Sequence, residues 1–158
     1  MQVEPIALGE RRKPKRALCA FNCTRESFLG MSVTPADTLL RRLRGLLSCE
    51  RLKSGDGLWM TPLPRIRTVS TLFPIDLICL DGMNRVTGLV ENIQPFRVLP
   101  VRPGCVSFLE LPLRAIHYSH TQLNDELLIC AAEDMETWHR AQAQRRCLLM
   151  RYGVQEGA

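Results

Sequence analysis

Along most of this chain the apolar residues come in short runs broken by turn residues, and only two stretches show helical spacing. In "ALCAFNCTRESFLGMSV" two apolar runs flank the polar segment "NCTRES", a pattern that predicts a first hairpin. In "VTPADTLLRRLRGLLSCE", Leu39, Leu40, Leu43, Leu46 and Leu47 recur on one face of a helical period. Thr34 as N-cap, Pro35 at the first helical position and Asp37 in the first turn predict where that helix starts.

After it "SGDG" turns into "LWM", and the prolines of "TPLPR" exclude a central strand there. "IRTVSTLF" favours extended backbone, and "IDLICL" is apolar at both alternating sets, as a strand buried on both faces should be. "DGMN" reads as a hairpin turn, "RVTGLVENI" as its return strand and "PFRVLPVRPG" as a proline-broken edge; "CVSFLEL" and "DELLICAA" supply the last strands. From Glu133 the period changes in "EDMETWHRAQAQRRCLLMRYG", with acids first, bases last and Gly153 as a stop, which predicts a C-terminal helix. Met135, Trp138, Ala141, Leu148, Leu149 and Tyr152 share one arc of that helix, interrupted by Arg145. Such a stripe packs on its own domain or, as the second reading, docks a protein partner.

The predicted class is therefore mainly β: a small β-sandwich or barrel with one helix in its N-terminal half and an added C-terminal helix. Three segments follow: a basic tail over 1–16, a β-sandwich domain over 17–132, and a C-terminal helix and tail over 133–158. The 158-residue length suits a single core. With 46% hydrophobic and 23% charged residues, a soluble globular domain is expected. No apolar window reaches membrane-helix length, and "ALCAF" is too short for a signal-peptide core, so the chain as it stands reads as cytoplasmic.

Charge and cysteine content narrow the chemistry. The net charge is +5, but residues 1–16 hold five Lys/Arg against Glu4 and Glu10, so most of it sits in the tail. "RRKPKR" has no aromatic residue for base stacking and no following helical face to enter a groove, so a solvated arm is favoured over nucleic-acid association. The seven cysteines show no Cys-x-x-Cys and no zinc-like spacing, and they read as small core hydrophobes in a reducing compartment. His117 and His120 flank Tyr118 without a third ligand nearby, so no metal and no cofactor is expected.

Five segments, in order, resemble the bacterial and archaeal domain-of-unknown-function family 192 over about residues 38–129. They are "RLRGLL", "GDGLWM", "FPIDLICLDGMNRV", "QPFRV" and "VSFLELP". The resemblance implies a compact jelly-roll-like β-sandwich with one helix, no established activity, and structural positions at Arg44, Gly45, Pro74, Asp81 and Gly82. The chain departs from the family pattern at Arg67-Thr68, where His-Thr is common, and at Thr71, a common methionine position. It also departs at Arg114, where a glycine is expected, and in "NDEL", which keeps only the aspartate of Gly-Asp.

Asp76 is the residue most in need of explanation, because an acid in a strand buried on both faces must be paired. Arg44 is the expected partner, through a bidentate bond that would pin helix to sheet. The catalytic alternative groups Asp76 with Glu110 in one apolar cleft, with Arg67 and Thr68 as ligand-binding residues at its mouth. The leading functional expectation is a non-catalytic binding or accessory module. A small hydrolase-like or ligand-processing enzyme is the alternative, and nucleic-acid association through the arm is the weaker one.

Overall fold

The computed structural model describes residues 17–36, 52–61, 65–67 and 73–152. Expectations for the basic tail, for Asp37 and the leucine face with Arg44 and Gly45, and for Thr68 and Thr71 concern residues outside this set. Among the described residues no helix is long and apolar enough to cross a membrane, which says nothing about strands.

The fold is mainly β. The strands are β1 (Leu18–Asn22), β2 (Ser27–Ala36), β3 (Asp56–Met60), β4 (Arg65–Arg67), β5 (Ile75–Leu80), β6 (Val86–Ile93), β7 (Val98–Pro100), β8 (Ser107–Pro112) and β9 (Leu127–Ala131). Among the described residues two helices accompany them, α1 (Ala115–Ser119) and α2 (Ala132–Tyr152). Seven strands form one sheet in the order β6-β5-β8-β3-β2-β1-β9, and β4 pairs with β7 in a small second sheet. All neighbours in the large sheet are antiparallel except β2 and β3.

The sheet curls until its two edges meet. Arg85 and Glu126 form a bridge between the starts of β6 and β9, reinforced by backbone bonds Val86 N to Asp125 O (2.9 Å) and Leu127 N to Asn84 O (3.0 Å). Strand alternation then sends every second residue inward. Ala20, Val33, Ile78, Leu109, Leu111 and Leu127 meet inside, joined by Ile116 of α1. The outer face of β3, β5 and β8 carries a second cluster, with Leu58, Leu77, Cys79 and Phe108 packed beneath Leu99 of β7. This explains the two-sided burial of "IDLICL": all six residues of β5 are buried, three toward each core. A third cluster joins Cys19 and Phe21 of β1 to Met135 and Trp138, so the first turns of α2 pack on the domain.

One sequence expectation is overturned. Thr34 and Pro35 do not open a helix; they lie in β2, opposite Leu58 and Trp59 of β3. Pairing with β1 ends at Val33, so beyond that point β2 has a single neighbour. Pro35 sits there without interrupting a two-sided ladder, which is the setting in which a strand tolerates proline. A Thr-Pro pair reads as a cap only when tertiary pairing does not claim it first.

Candidate functional site

Asp76 is fully buried, and among the described residues its partners are backbone amides. Oδ1 accepts the N–H of Asn92 at 3.0 Å and Oδ2 accepts the N–H of Ile116 at 3.1 Å. Each bond has a local cause. Between Ile75 and Leu77 the β5–β6 register slips, and Asn92 adopts a left-handed φ of 54°, so its N–H turns out of the ladder. Ile116 lies in the first turn of α1, a helix whose own N-cap, Arg114, makes no side-chain capping bond. The carboxylate of a strand 40 residues earlier does that work.

Register places Asp76 and Glu110 apart. Asp76 pairs with Leu111 and shares the inner face, whereas Glu110 pairs with Leu77 and Leu58 and shares the outer one. The two carboxylates point to opposite sides of the sheet, so no single cleft holds both. Arg67 lies in β4 opposite Val98. Pro74 precedes β5 and is half-buried. Asp81 closes the β5–β6 turn, its Oδ1 accepting the N–H groups of Met83 (2.8 Å) and Arg85 (2.9 Å), with Gly82 exposed between them. His117 falls within α1 and His120 ends it, and both are exposed.

A second buried polar cluster had no sequence signal beyond the aspartate of "NDEL". Asn22, fully buried, donates through Nδ2 to Thr121 Oγ1 (3.0 Å) and Asp125 Oδ2 (2.9 Å). Its Oδ1 accepts the N–H of Thr24 and Arg25 in the β1–β2 turn. Arg25 Nε reaches Asp125 Oδ2 at 3.1 Å, and the Gln122 N–H donates to the same oxygen at 2.8 Å. Burial pushes the Asp125 carboxyl up, but the bonds from Asn22, Gln122 and Arg25 outweigh it and hold the group below its ordinary value of 3.8. Ser119 and Thr121 share a 2.7 Å hydroxyl bond, and Ser27 Oγ donates to Ser119 O (2.8 Å), which ties the end of α1 to the same hairpin.

With both ends fixed, α1 forms one wall of an open groove of about 710 Å³. Phe28 and Met31 of β2, Lys53, Phe73, Leu113 and Tyr118 line it. Phe28, Met31, Leu113 and Tyr118 leave 47%, 65%, 45% and 69% of their surfaces exposed, an unusual concentration of large apolar side chains on one concave surface. Lys53 carries the only charge among the described lining residues.

Arg114 and Asn124, where the sequence resemblance leads to an expectation of glycine, hold left-handed φ values of 70° and 68°, the backbone region that glycine adopts without penalty.

The profile of domain-of-unknown-function family 192, described as an uncharacterised ACR, matches residues 21–129. No curated protein matches the sequence. A crystal structure of a proposed transcription regulator from Sinorhizobium meliloti is similar, with a TM-score of 0.61 at 15% identity, over 75% of this chain and 98% of that one. A protein of unknown function from Novosphingobium aromaticivorans gives a TM-score of 0.58 at 17% identity, over 70% of this chain and 82% of that one. At such identities both likenesses concern the fold alone.

Two predictions follow from the polar ties. Asp76→Asn keeps one acceptor but turns an NH₂ group toward a buried backbone N–H, so urea denaturation at neutral pH should show a loss of about 1–3 kcal/mol. A change below about 0.5 kcal/mol, the range of ordinary surface substitutions, would contradict that role. The depressed Asp125 group contributes stability that is fully present above 3.8 and is lost as pH falls through its lower folded value. Acid titration of stability should therefore be flatter below that pH in Asp125→Asn than in the parent, and equal slopes would refute the assignment.

Proposed function

The chain belongs to the domain-of-unknown-function family 192, and we propose that this member is a binding module whose ligand is a small apolar molecule carrying one carboxylate. The observation that carries this reading is the groove beside α1. Its volume falls within the range of small-molecule sites, and its exposed surface is dominated by aromatic and aliphatic side chains. A ligand's apolar body would cover Phe28, Met31 and Tyr118, removing their surface from water. Lys53 would meet its charged end, and no described lining residue offers a competing anion.

The two buried carboxylates support binding rather than acid–base catalysis as the reading. Asp76 already accepts two backbone amides, and it faces away from Glu110. The five cysteines described are thiols, which supports a reducing, cytoplasmic setting for the protein.

Calorimetric titration of the full-length protein with octanoate and 2-naphthoate, each compared with its primary amide, tests the proposal. The carboxylates should bind more tightly than the amides. Lys53→Gln should erase that preference at a cost of about two- to fivefold in affinity, as suits a solvent-exposed ion pair. Met31→Glu, at an exposed position, should abolish binding without moving Tm. Binding of neither carboxylate, or amides binding equally well to the parent, would overturn it, as would native mass spectrometry that finds a protein partner seated on this face.

A further inference from the structure

One border of the groove is a strand edge. Phe28, Leu29, Gly30 and Met31 all line it, although successive residues of a strand turn their side chains to opposite faces. Four consecutive residues share one space when that space runs alongside the strand. The pairing agrees. β1 accompanies β2 on one side from Ser27 onward, whereas on the other side β3 joins only at Ser32. Among the described residues no strand pairs with Phe28, Leu29 or Gly30 on that second side. Leu29 is in addition the extra residue of a bulge, since Phe28 pairs with Phe21 and Gly30 with Ala20. A strand paired on one side turns alternate N–H and C=O groups to its open side, where another extended backbone can meet them.

The end of this open edge suits a carboxylate. β3 starts from a turn in which the Asp56 N–H donates to Lys53 O at 3.0 Å. Ser54 and Gly55, the central residues of that turn, both line the groove, and their N–H groups make no hydrogen bond among the described residues. Lys53 stands next to them and lines the groove as well. Successive turn amides beside a cation form a concavity that receives an anion. The Gly55 carbonyl accepts the N–H groups of Met31 (2.8 Å) and Ser32 (2.9 Å), so the turn is fastened to β2 at the point where the open edge stops. Because β2 and β3 are parallel, a chain laid along the open edge in line with β3 runs toward this turn and brings its C-terminus there.

We propose that the groove's ligand is a short apolar peptide with a free C-terminal carboxylate, bound extended and parallel to β2 in the gap before β3. This rests on the reading of the groove as a site for a small apolar carboxylate, and it adds the backbone groups that distinguish a peptide from other members of that class. From Phe28 to Met31 the edge is roughly 10 Å long at about 3.3 Å per residue, the reach of a di- or tripeptide. The peptide's apolar side chains cover the exposed rings of Phe28 and Tyr118, and its carboxylate meets Lys53 and the amides of Ser54 and Gly55. A fatty acid fills the same apolar surface but leaves the edge of β2 without a partner.

The test is calorimetric titration of the full-length protein with N-acetyl-leucyl-leucyl-phenylalanine, with two forms of it N-methylated at the second or the third residue, and with octanoate. Amides of an extended peptide alternate in direction, so one methylation should weaken binding about tenfold or more and the other should be tolerated. Hydrogen exchange read by NMR should show an amide of Phe28, Leu29 or Gly30 slowed by the peptide and left unchanged by octanoate. If octanoate binds but both methylated forms bind as well as the parent peptide, or no β2 amide is slowed, the peptide assignment is overturned while the apolar-carboxylate reading stands. If octanoate, 2-naphthoate and the peptide all fail to bind, both are overturned.

Discussion

A carboxylate inside a curled sheet is tolerable only if the fold supplies it with donors, and Asp76 has two from chain segments that would otherwise lack acceptors. The bulged amide of Asn92 and the first-turn amide of Ile116 converge on it from β6 and α1. Remove the carboxylate and two backbone donors are left buried without partners, besides the loss of the tie itself. Ile116 can then no longer be held in the inner core, and α1 loses the bond that fixes its beginning. The groove depends on the same bond, because Ala115 and Tyr118 on that helix form its wall.

The end of α1 is held by hydroxyl and amide groups around Asn22 that are themselves anchored on the Asp125 carboxylate. Ser27, Ser119, Thr121 and Asp125 connect the β1–β2 hairpin to the loop leading into β9. A five-residue helix has little stability of its own, so its position is a tertiary property. Both attachments are to distant strands. That arrangement fixes a short apolar wall beside an open surface.

The strands of the sheet were largely legible, because alternation and turn residues are local signals. "IDLICL" showed a two-faced strand from its composition alone, and the family segments placed the chain correctly. The backbone donors that Asp76 accepts were not legible, while the expected pairing with Arg44 lies outside the described residues. Those donors are set by a bulge and by a helix whose flanking residues, Arg114 and His120, carry none of the usual capping chemistry. Asn22 was equally silent, since a lone asparagine in a hairpin reads as turn chemistry, and its contacts at Thr121 and Asp125 lie about a hundred residues away. Thr34 and Pro35 misled because their local preference for a helix start is smaller than the pairing of β2 with β3. The groove left only faint traces, as exposed apolar residues scattered over four segments acquire meaning only when the fold gathers them.

Native-state hydrogen exchange of the Asn92 and Ile116 amides tests the central role of Asp76 most directly. If both are held by a buried carboxylate on which the local structure depends, they should exchange only through global or near-global opening, alongside amides of β5 and β8. Exchange of either amide as fast as that of the exposed turn residue Gly104 would contradict the account.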